Sequence, residues 1–264
     1  MTPPDVGTVE RWAWDYVLGT SLADKLDPPA PPEQWELAPP LRRLEAPGRP
    51  PELRVVHRAA KKRGLGTSSG RAQALHTFFH HELQAAELMA WALLAYADAP
   101  RDFRQGLVRI LLDEARHMRM YHARIRGLGH HVGDFEVRDW FWLRVPTCAD
   151  PLSFVAVMGL GLESANLEHA ATFAAAFRDA GDEESARVQE VVGLEEIAHV
   201  RFGARWFSHF RGEVTFDAWC AALPSPLTPL LMRGTPLRRD ARLRAGQPVE
   251  ARGVRNEFVF SLEH

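Results

Sequence analysis

Four long segments in the middle of the chain carry apolar residues at helical spacing. They cover about 72–97, 100–126, 151–179 and 182–210, and apolar residues three and four positions apart predict an amphipathic helix in each. A short link joins the first two segments, and another joins the last two, which predicts two antiparallel helical hairpins. A long crossover, residues 127–150, separates the hairpins. We therefore predict an all-α protein built on a four-helix bundle.

The segments on either side of the predicted bundle differ from it in composition. An amphipathic helix is predicted at Val9–Leu18, and nine prolines between Pro28 and Pro51 exclude long regular structure there. A short basic helix is predicted at 53–63. The last part of the chain is rich in arginine and proline, so we predict an irregular segment packed on the bundle. The predicted organisation is a Pro-rich N-terminal strap with short helices at 1–70, the bundle at 71–211 and the C-terminal segment at 212–264.

A short motif occurs twice inside the predicted bundle. Glu114 and His117 lie three residues apart on the second predicted helix, and Glu196 and His199 repeat that spacing 82 residues later on the fourth. A lone glutamate on the first and on the third helix precedes each copy by 32 or 33 residues. An internal repeat of two hairpins accounts for this register, and such side chains form the ligand set of a two-metal site in a bundle. The six predicted ligands are Glu82, Glu114, His117, Glu163, Glu196 and His199.

Each of the four glutamates lies in the middle of an otherwise apolar helix face. Glu82, for example, shares its face with Phe78, Phe79 and Met89. Burying four ionised carboxylates together without cations would cost many kcal/mol or force protonation. Two divalent cations balance the four charges, and the two histidines supply neutral nitrogen ligands. The pattern therefore predicts a metal centre rather than a cluster of surface charges.

Other acidic residues near the motifs leave alternatives open. Glu87 and Glu168 follow the lone glutamates by five residues and repeat in register, so they are the alternative ligands, although their helix faces are more polar. Asp113 and Glu195 directly precede the two motifs. They are candidates for the outer hydrogen bond that fixes the tautomer of a metal-bound histidine. Solvated surface charge is the competing interpretation of these two residues.

The sequence around the motifs resembles known di-iron proteins. Residues 113–117, Asp-Glu-Ala-Arg-His, resemble the Asp-Glu-x-Arg-His motif of bacterial di-iron monooxygenases. The chain from His-His-Glu-Leu-Gln-Ala at 80–85 to Glu-Glu-Ile-Ala-His-Val-Arg-Phe-Gly at 195–203 resembles a bacterial family of ferritin-like proteins of uncharacterised function, which is distantly similar to di-iron tRNA hydroxylases. This resemblance covers residues 70–210. It implies a ferritin-like fold and a carboxylate-bridged di-iron centre on the six ligands, with one departure at Glu195, where the pattern has aspartate.

These features favour an O₂-activating di-iron oxidase or hydroxylase. The expected cofactor is two iron ions, with manganese or zinc as alternatives, because carboxylate and imidazole ligands suit all three metals. A small molecule or a modified nucleoside is the expected substrate. The electron donor is expected to be external, because the sequence has no flavin or iron–sulfur motif. Two other hypotheses stay open: a ferroxidase or iron-handling protein, against which the long flanking segments argue, and a non-redox zinc or manganese site.

The overall composition argues against several other classes of protein. The net charge of −2 provides no general basic field, so nucleic acid is an unfavoured partner, although local arginine runs leave it open. The sequence contains no run of 18 apolar residues, so it predicts no membrane-spanning helix. The first residues lack a signal-peptide pattern. Cys148 and Cys220 provide no disulfide framework. We therefore expect a cytoplasmic monomer or small homo-oligomer without a membrane partner.

Overall fold

The described part of the chain is made of helices and loops. The computed structural model describes residues 1–58 and 60–247, and within these ranges it contains no β-strand. Val55 and Val137 form an isolated bridge. These observations confirm the all-α prediction. Across the same residues, none of the helices has both the length and the apolar character needed to cross a membrane.

The chain divides into two compact units, and the first covers Met1–Pro146. It begins with two short helices, α1 (Val9–Leu18) and α2 (Leu22–Leu26). Two long helices follow, α3 (Ser68–Ala95) and α4 (Arg101–Gly127). They pack against each other across a link of a few residues and so form an antiparallel hairpin, and α1 packs on α3.

The N-terminal strap is folded against α3. The indole Nε1 of Trp91 donates to the carbonyl oxygen of Leu44 at 3.0 Å, and the backbone of Arg42 donates to that of Leu94. The basic helix predicted at 53–63 was wrong, because residues 53–58 and 60–63 contain no helix. Backbone groups of this segment pair instead with the backbone of Val137 in the crossover, so they are not available for helical hydrogen bonds.

The second unit begins at Thr147 and is described as far as residue 247. Its two long helices are joined by three residues and pack against each other as a second antiparallel hairpin. A six-residue π-helical segment interrupts the first arm of that hairpin. The elements are α5 (Pro151–Val157), the π segment (Met158–Glu163), α6 (Ser164–Asp179), α7 (Glu183–Arg211), α8 (Phe216–Ala222) and α9 (Arg239–Arg244).

Side-chain caps fix where α3, α5 and α7 begin. The hydroxyl of Thr67 accepts a hydrogen bond from Gly70 at the start of α3, and the carboxylate of Asp182 accepts one from Ser185 at the start of α7. Asp150 and Ser153 cap each other reciprocally before α5. Such caps satisfy backbone groups that have no partner inside the helix. The starts of α3, α5 and α7 are thus specified locally by the sequence.

The C-terminal part of the chain is more regular than the sequence predicts. Residues 212–264 were predicted to be irregular, but α8 and α9 lie within them. Thr215 caps α8 by accepting a hydrogen bond from Ala218, and the indole of Trp219 donates to the carbonyl oxygen of Ala156 at 2.8 Å. These contacts hold a short helix that lacks a long amphipathic pattern. Residues 248–264 of the predicted segment lie outside the described residues.

Candidate metal centre

In the first unit, α3 and α4 bring three predicted ligands together. One ligand atom each of Glu82, Glu114 and His117 lies within 4.8 Å of the other two. The Nδ1 atom of His117 is 3.2 Å from Oε2 of Glu114 and 3.8 Å from Oε2 of Glu82. All three side chains are buried. We call these residues the first triad.

The first triad is electrostatically suited to a cation. Burial raises the pKa of Glu82 well above its usual value, and the neighbouring carboxylate of Glu114 raises it further. Burial alone would lower the pKa of His117, but hydrogen bonds with Glu114 and Glu82 raise it instead. In the metal-free chain Glu82 and His117 therefore keep their protons to higher pH than usual. A divalent cation would displace those protons and satisfy both carboxylates.

In the second unit, the π segment and α7 bring the remaining predicted ligands together. One ligand atom each of Glu163, Glu196 and His199 lies within 4.8 Å of the other two. The Nδ1 atom of His199 is 3.0 Å from Oε2 of Glu196, close to the corresponding distance in the first triad. These side chains are also buried. We call these residues the second triad.

Asn166 supports the second triad. Its Nδ2 atom donates to Oε1 of Glu196 at 2.9 Å, which leaves Oε2 of Glu196 facing His199. The sequence assigns no role to Asn166 except a place three residues after Glu163, on the same helix face. That position is the only signal from which this contact could be anticipated. The amide orients the carboxylate as hydrogen-bonded partners of metal ligands commonly do.

The helix that carries Glu163 is not a regular α-helix, contrary to the prediction of one continuous helix over 151–179. The π segment contains Gly159 and Gly161 and ends at Glu163. Gly159 lies directly against Gly203 of α7, without room for a side chain. π turns within α-helices are rare, and many of those that do occur lie at functional sites. Here the last residue of the π segment is itself a predicted ligand.

Glu87, one alternative ligand, is held by basic side chains of the strap. Nζ of Lys25 lies 2.9 Å from Oε1 of Glu87, and Nη1 of Arg49 lies 2.5 and 2.6 Å from its two carboxylate oxygens. The indole of Trp142 donates to Oε2 at 2.8 Å. Glu87 is fully buried, and two cations balance its charge without a metal ion. The geometry therefore favours Glu82 as the ligand on α3.

Glu168, the other alternative ligand, is held in the same way by the C-terminal part of the chain. Nε and Nη2 of Arg242 donate to its two carboxylate oxygens at 2.8 and 2.7 Å. The backbone N–H of Arg238 donates to Oε1 at 3.0 Å. Glu168 is fully buried. Glu163 is therefore the better ligand candidate on this helix.

The two acids that precede the motifs occupy partly exposed positions. Asp113 accepts a long hydrogen bond of 3.4 Å from Nη2 of Arg116, one turn later on α4. Glu195 is also partly exposed. A hydrogen bond from a ligand histidine to either carboxylate stays a prediction.

A family model covers most of the chain. The model described as "Protein of unknown function (DUF455)" matches residues 19–251, a range that includes both triads. The chain belongs to this family. It is also similar to an uncharacterised protein of Haemophilus influenzae, with 24% identity over 204 residues, which is 74% of this chain and 70% of the relative. No solved structure matches this DUF455 chain significantly.

Proposed function

We propose that this DUF455 protein is a di-iron carboxylate protein with a ferritin-like fold and that it acts as an O₂-activating oxidase or hydroxylase. The observation that carries the proposal is the repeated triad. Each unit contains two buried glutamates and one histidine whose ligand atoms converge within 4.8 Å. A divalent cation balances the charge of two buried carboxylates and also binds the lone pair of a neutral imidazole, so it satisfies all three side chains at once.

The ferritin-like fold is supported by the order of the elements. Two antiparallel hairpins, α3 with α4 and α6 with α7, follow each other along the chain, with short links inside each and a long crossover between them. Ferritin-like bundles have this connectivity, and their di-iron centres take one glutamate from each of two helices and a Glu-x-x-His pair from each of the others. Both ligand patterns occur here in the matching order.

Two ions are proposed because the chain contains two triads with the same types of ligand. Each triad carries two carboxylates and one imidazole, enough to neutralise one divalent ion. Ligand atoms that share an ion at 2.0–2.2 Å lie about 3 Å apart, and the histidine–glutamate distances of 3.2 and 3.0 Å match that spacing. We propose that the two triads contribute to one centre, as the resemblance to di-iron proteins implies.

The residues of the chain have three tasks in this proposal. Glu82 and His117 release their retained protons when the site is loaded. Asn166 holds Glu196 so that its second oxygen remains directed at His199. Phe79 and Leu111, which are fully buried close to the first triad in sequence, exclude water from the site. Bound iron would supply the redox chemistry for O₂ activation, with electrons from an external donor.

The proposal is tested by iron binding to the full-length, metal-free protein. An anaerobic titration with Fe(II) is expected to saturate at two ions per chain. After exposure to O₂, Mössbauer spectroscopy of the ⁵⁷Fe-loaded protein is expected to show a coupled ferric pair with a diamagnetic ground state. Two uncoupled ferric ions would instead indicate separate sites, and preference for zinc or manganese without reaction with O₂ would indicate a non-redox site.

Variants of α7 connect the metal to the residues. Glu196→Gln is expected to remove at least one iron per chain, because it removes a charged ligand of the second triad. Glu190→Gln is the matched control, since Glu190 lies on the same helix and forms an exposed ion pair with Arg178. Unchanged iron content in Glu196→Gln would contradict the assignment of the ligands.

A further inference from the structure

The C-terminal part of the second unit is hydrogen-bonded to α6, which directly follows Glu163. We call residues 232–247 the C-terminal clip. Within it, Arg242 forms two hydrogen bonds with the carboxylate of Glu168 and a third, at 3.3 Å, with the carbonyl oxygen of Ser164. Gln247 donates from Nε2 to the hydroxyl of Ser164 at 2.6 Å. The clip therefore binds two consecutive turns of α6 from one side.

Ser164 connects the clip to the π segment. It directly follows Glu163, and its hydroxyl donates to the carbonyl oxygen of Gly159 at 3.2 Å while it accepts the hydrogen bond from Gln247. A hydroxyl has one hydrogen to donate and two lone pairs that accept, so both contacts are compatible. The carbonyl group of Gly159 lies at the start of the π turn. The clip thus contacts one end of the backbone segment that places Glu163 directly, and it is connected to the other end through Ser164.

The close fit of the clip leaves little freedom for this arrangement. A side chain on Gly234 would collide with Glu168, and a side chain on Gly161 would collide with the sulfur of Met232. Arg242 is mostly shielded from solvent, and Glu168 is fully buried. Removing one partner of such an ion pair leaves an uncompensated buried charge.

The first unit contains the same arrangement, in which an arginine pairs with a glutamate five residues after a predicted ligand. Its occurrence in both units argues that it is more than a local packing detail. Glu87 lies five residues after Glu82, as Glu168 does after Glu163, and Arg49 of the strap forms the corresponding ion pair. Five residues rotate a helix by about 500°, so the anchoring carboxylate lies about 140° around the helix from the ligand. Each terminal segment therefore contacts a ligand-bearing helix on a side away from its ligand.

We propose that Arg242 is a positioning residue for Glu163: through Glu168 and Ser164 it fixes the rotation of α6 and the π turn, and so sets the direction of the Glu163 carboxylate. This inference rests on the proposed metal-binding function for the role of Glu163. It does not require iron or O₂ chemistry. It assigns a function to Glu168 and to the C-terminal clip that neither motif nor family assigns.

The first experiment measures the π turn itself in metal-free, full-length protein. The double variant Arg242→Met/Glu168→Gln removes both charges of the pair, so that no buried charge is left uncompensated and folding is preserved. Amide hydrogen exchange in residues 158–164 is expected to become at least about tenfold faster, while exchange in residues 187–192 of α7 stays unchanged. Arg238→Met is the matched control, because the Arg238 side chain pairs with exposed Asp240 in the same segment.

The second experiment measures metal binding with Co(II), whose visible absorption spectrum reports coordination geometry. In the double variant, one Co(II) per chain is expected to bind about 10- to 100-fold more weakly, the usual effect of losing an outer partner of a ligand, and its absorption band is expected to change. The other ion should bind as in the wild type. Arg242→Lys keeps a charge near Glu168 and is expected to restore part of the affinity.

The outcomes separate the two proposals. If exchange in 158–164 is unchanged in the double variant, or if both Co(II) ions bind as in Arg238→Met, the positioning role is overturned. If the wild type binds no Co(II), the proposed metal centre fails, whereas the exchange result still decides whether Arg242 holds the π turn.

Discussion

Gly159 and Gly203 bring the π segment and α7 into direct backbone contact. A β-carbon added to Gly159 would lie 2.6 Å from the α-carbon of Gly203, and one added to Gly203 would lie 2.7 Å from the α-carbon of Gly159. Neither position accepts a side chain unless the helices move apart. Glu163 lies four residues after Gly159, and His199 lies four residues before Gly203. The contact therefore fixes the separation of the two helices that form the second triad.

Gly203→Ala is expected to damage stability and metal binding together. The added methyl group forces α7 away from the π segment, and such overpacking costs about 1–3 kcal/mol of unfolding free energy. Urea unfolding of the metal-free protein measures that loss, and Co(II) titration is expected to show weaker binding of one ion. Ser208→Ala, on the exposed side of α7, is the control and should change the unfolding free energy by less than about 0.5 kcal/mol. Equal behaviour of the two variants would contradict the role of the glycine contact.

Glu82 is expected to make the metal-free protein less stable as the pH rises. Its pKa in the folded chain is raised above the usual 4.5 by burial and by Glu114, so the folded chain keeps a proton that the unfolded chain releases above that pH. The free energy of unfolding should then fall by up to about 1.4 kcal/mol per pH unit. The decline begins near pH 4.5 and stops at the folded pKa.

Urea unfolding at a series of pH values, with a chelator present, measures this slope. Glu82→Gln removes the titrating group and is expected to flatten the dependence. If the variant and the wild type have the same pH profile, the buried carboxylate pair does not exist as described. Adding Co(II) to the wild type should reverse the trend, because metal ions compete with protons for the same ligands.

Glu87→Gln is expected to show that Glu87 stabilises the fold and does not bind metal. The substitution leaves the buried Lys25 without its carboxylate partner and Arg49 with Asp139 alone, and breaking such a buried pair costs about 3–5 kcal/mol. Metal stoichiometry is expected to stay the same. Glu82→Gln, the matched variant one and a half turns earlier on α3, should instead lose metal without that loss of stability. A variant of Glu87 that folds normally but binds one ion fewer would make Glu87 the ligand.

His76 is expected to remain neutral well below the usual pKa of histidine. Burial, together with the nearby His80, lowers its pKa to about 4, and its Nε2 accepts a hydrogen bond from the backbone of Gly133. Between pH 6.5 and about 4 only the unfolded chain binds this proton, so stability contributed by His76 is lost as the pH falls through that range. NMR titration of the imidazole checks the value. A midpoint near 6.5 would contradict the buried, neutral state.

Local features of the fold are readable from the sequence, whereas contacts between distant segments are not. The apolar spacing predicts both hairpins, and Asp182 marks the start of α7 because an N-cap needs only residues within one turn. The ion pairs of Glu87 join residues 62 and 38 positions apart in the chain. The spacing of residues along the sequence does not predict such pairs, so the anchoring role of Glu87 becomes visible only in the folded structure.

The candidate site shows the same division. The spacing of Glu196 and His199 predicts that both point in one direction, since three residues make almost one turn. The π turn before Glu163 was not predicted, because the apolar pattern of residues 151–179 also fits a regular α-helix. The π turn packs against Gly203 and is hydrogen-bonded through Ser164 to the clip, and these contacts form only when the second unit is folded.

The π turn also makes the length of this helix critical. Deleting one residue from Met158–Glu163 would produce a continuous α-helix of unchanged amphipathic appearance and good local propensity. The deletion would nevertheless rotate everything before it by roughly 100° relative to Glu163, turning the fully buried Phe154 away from its core position. Chains that differ here by a single residue would therefore look alike in composition and helix content, yet would differ in whether their carboxylates converge.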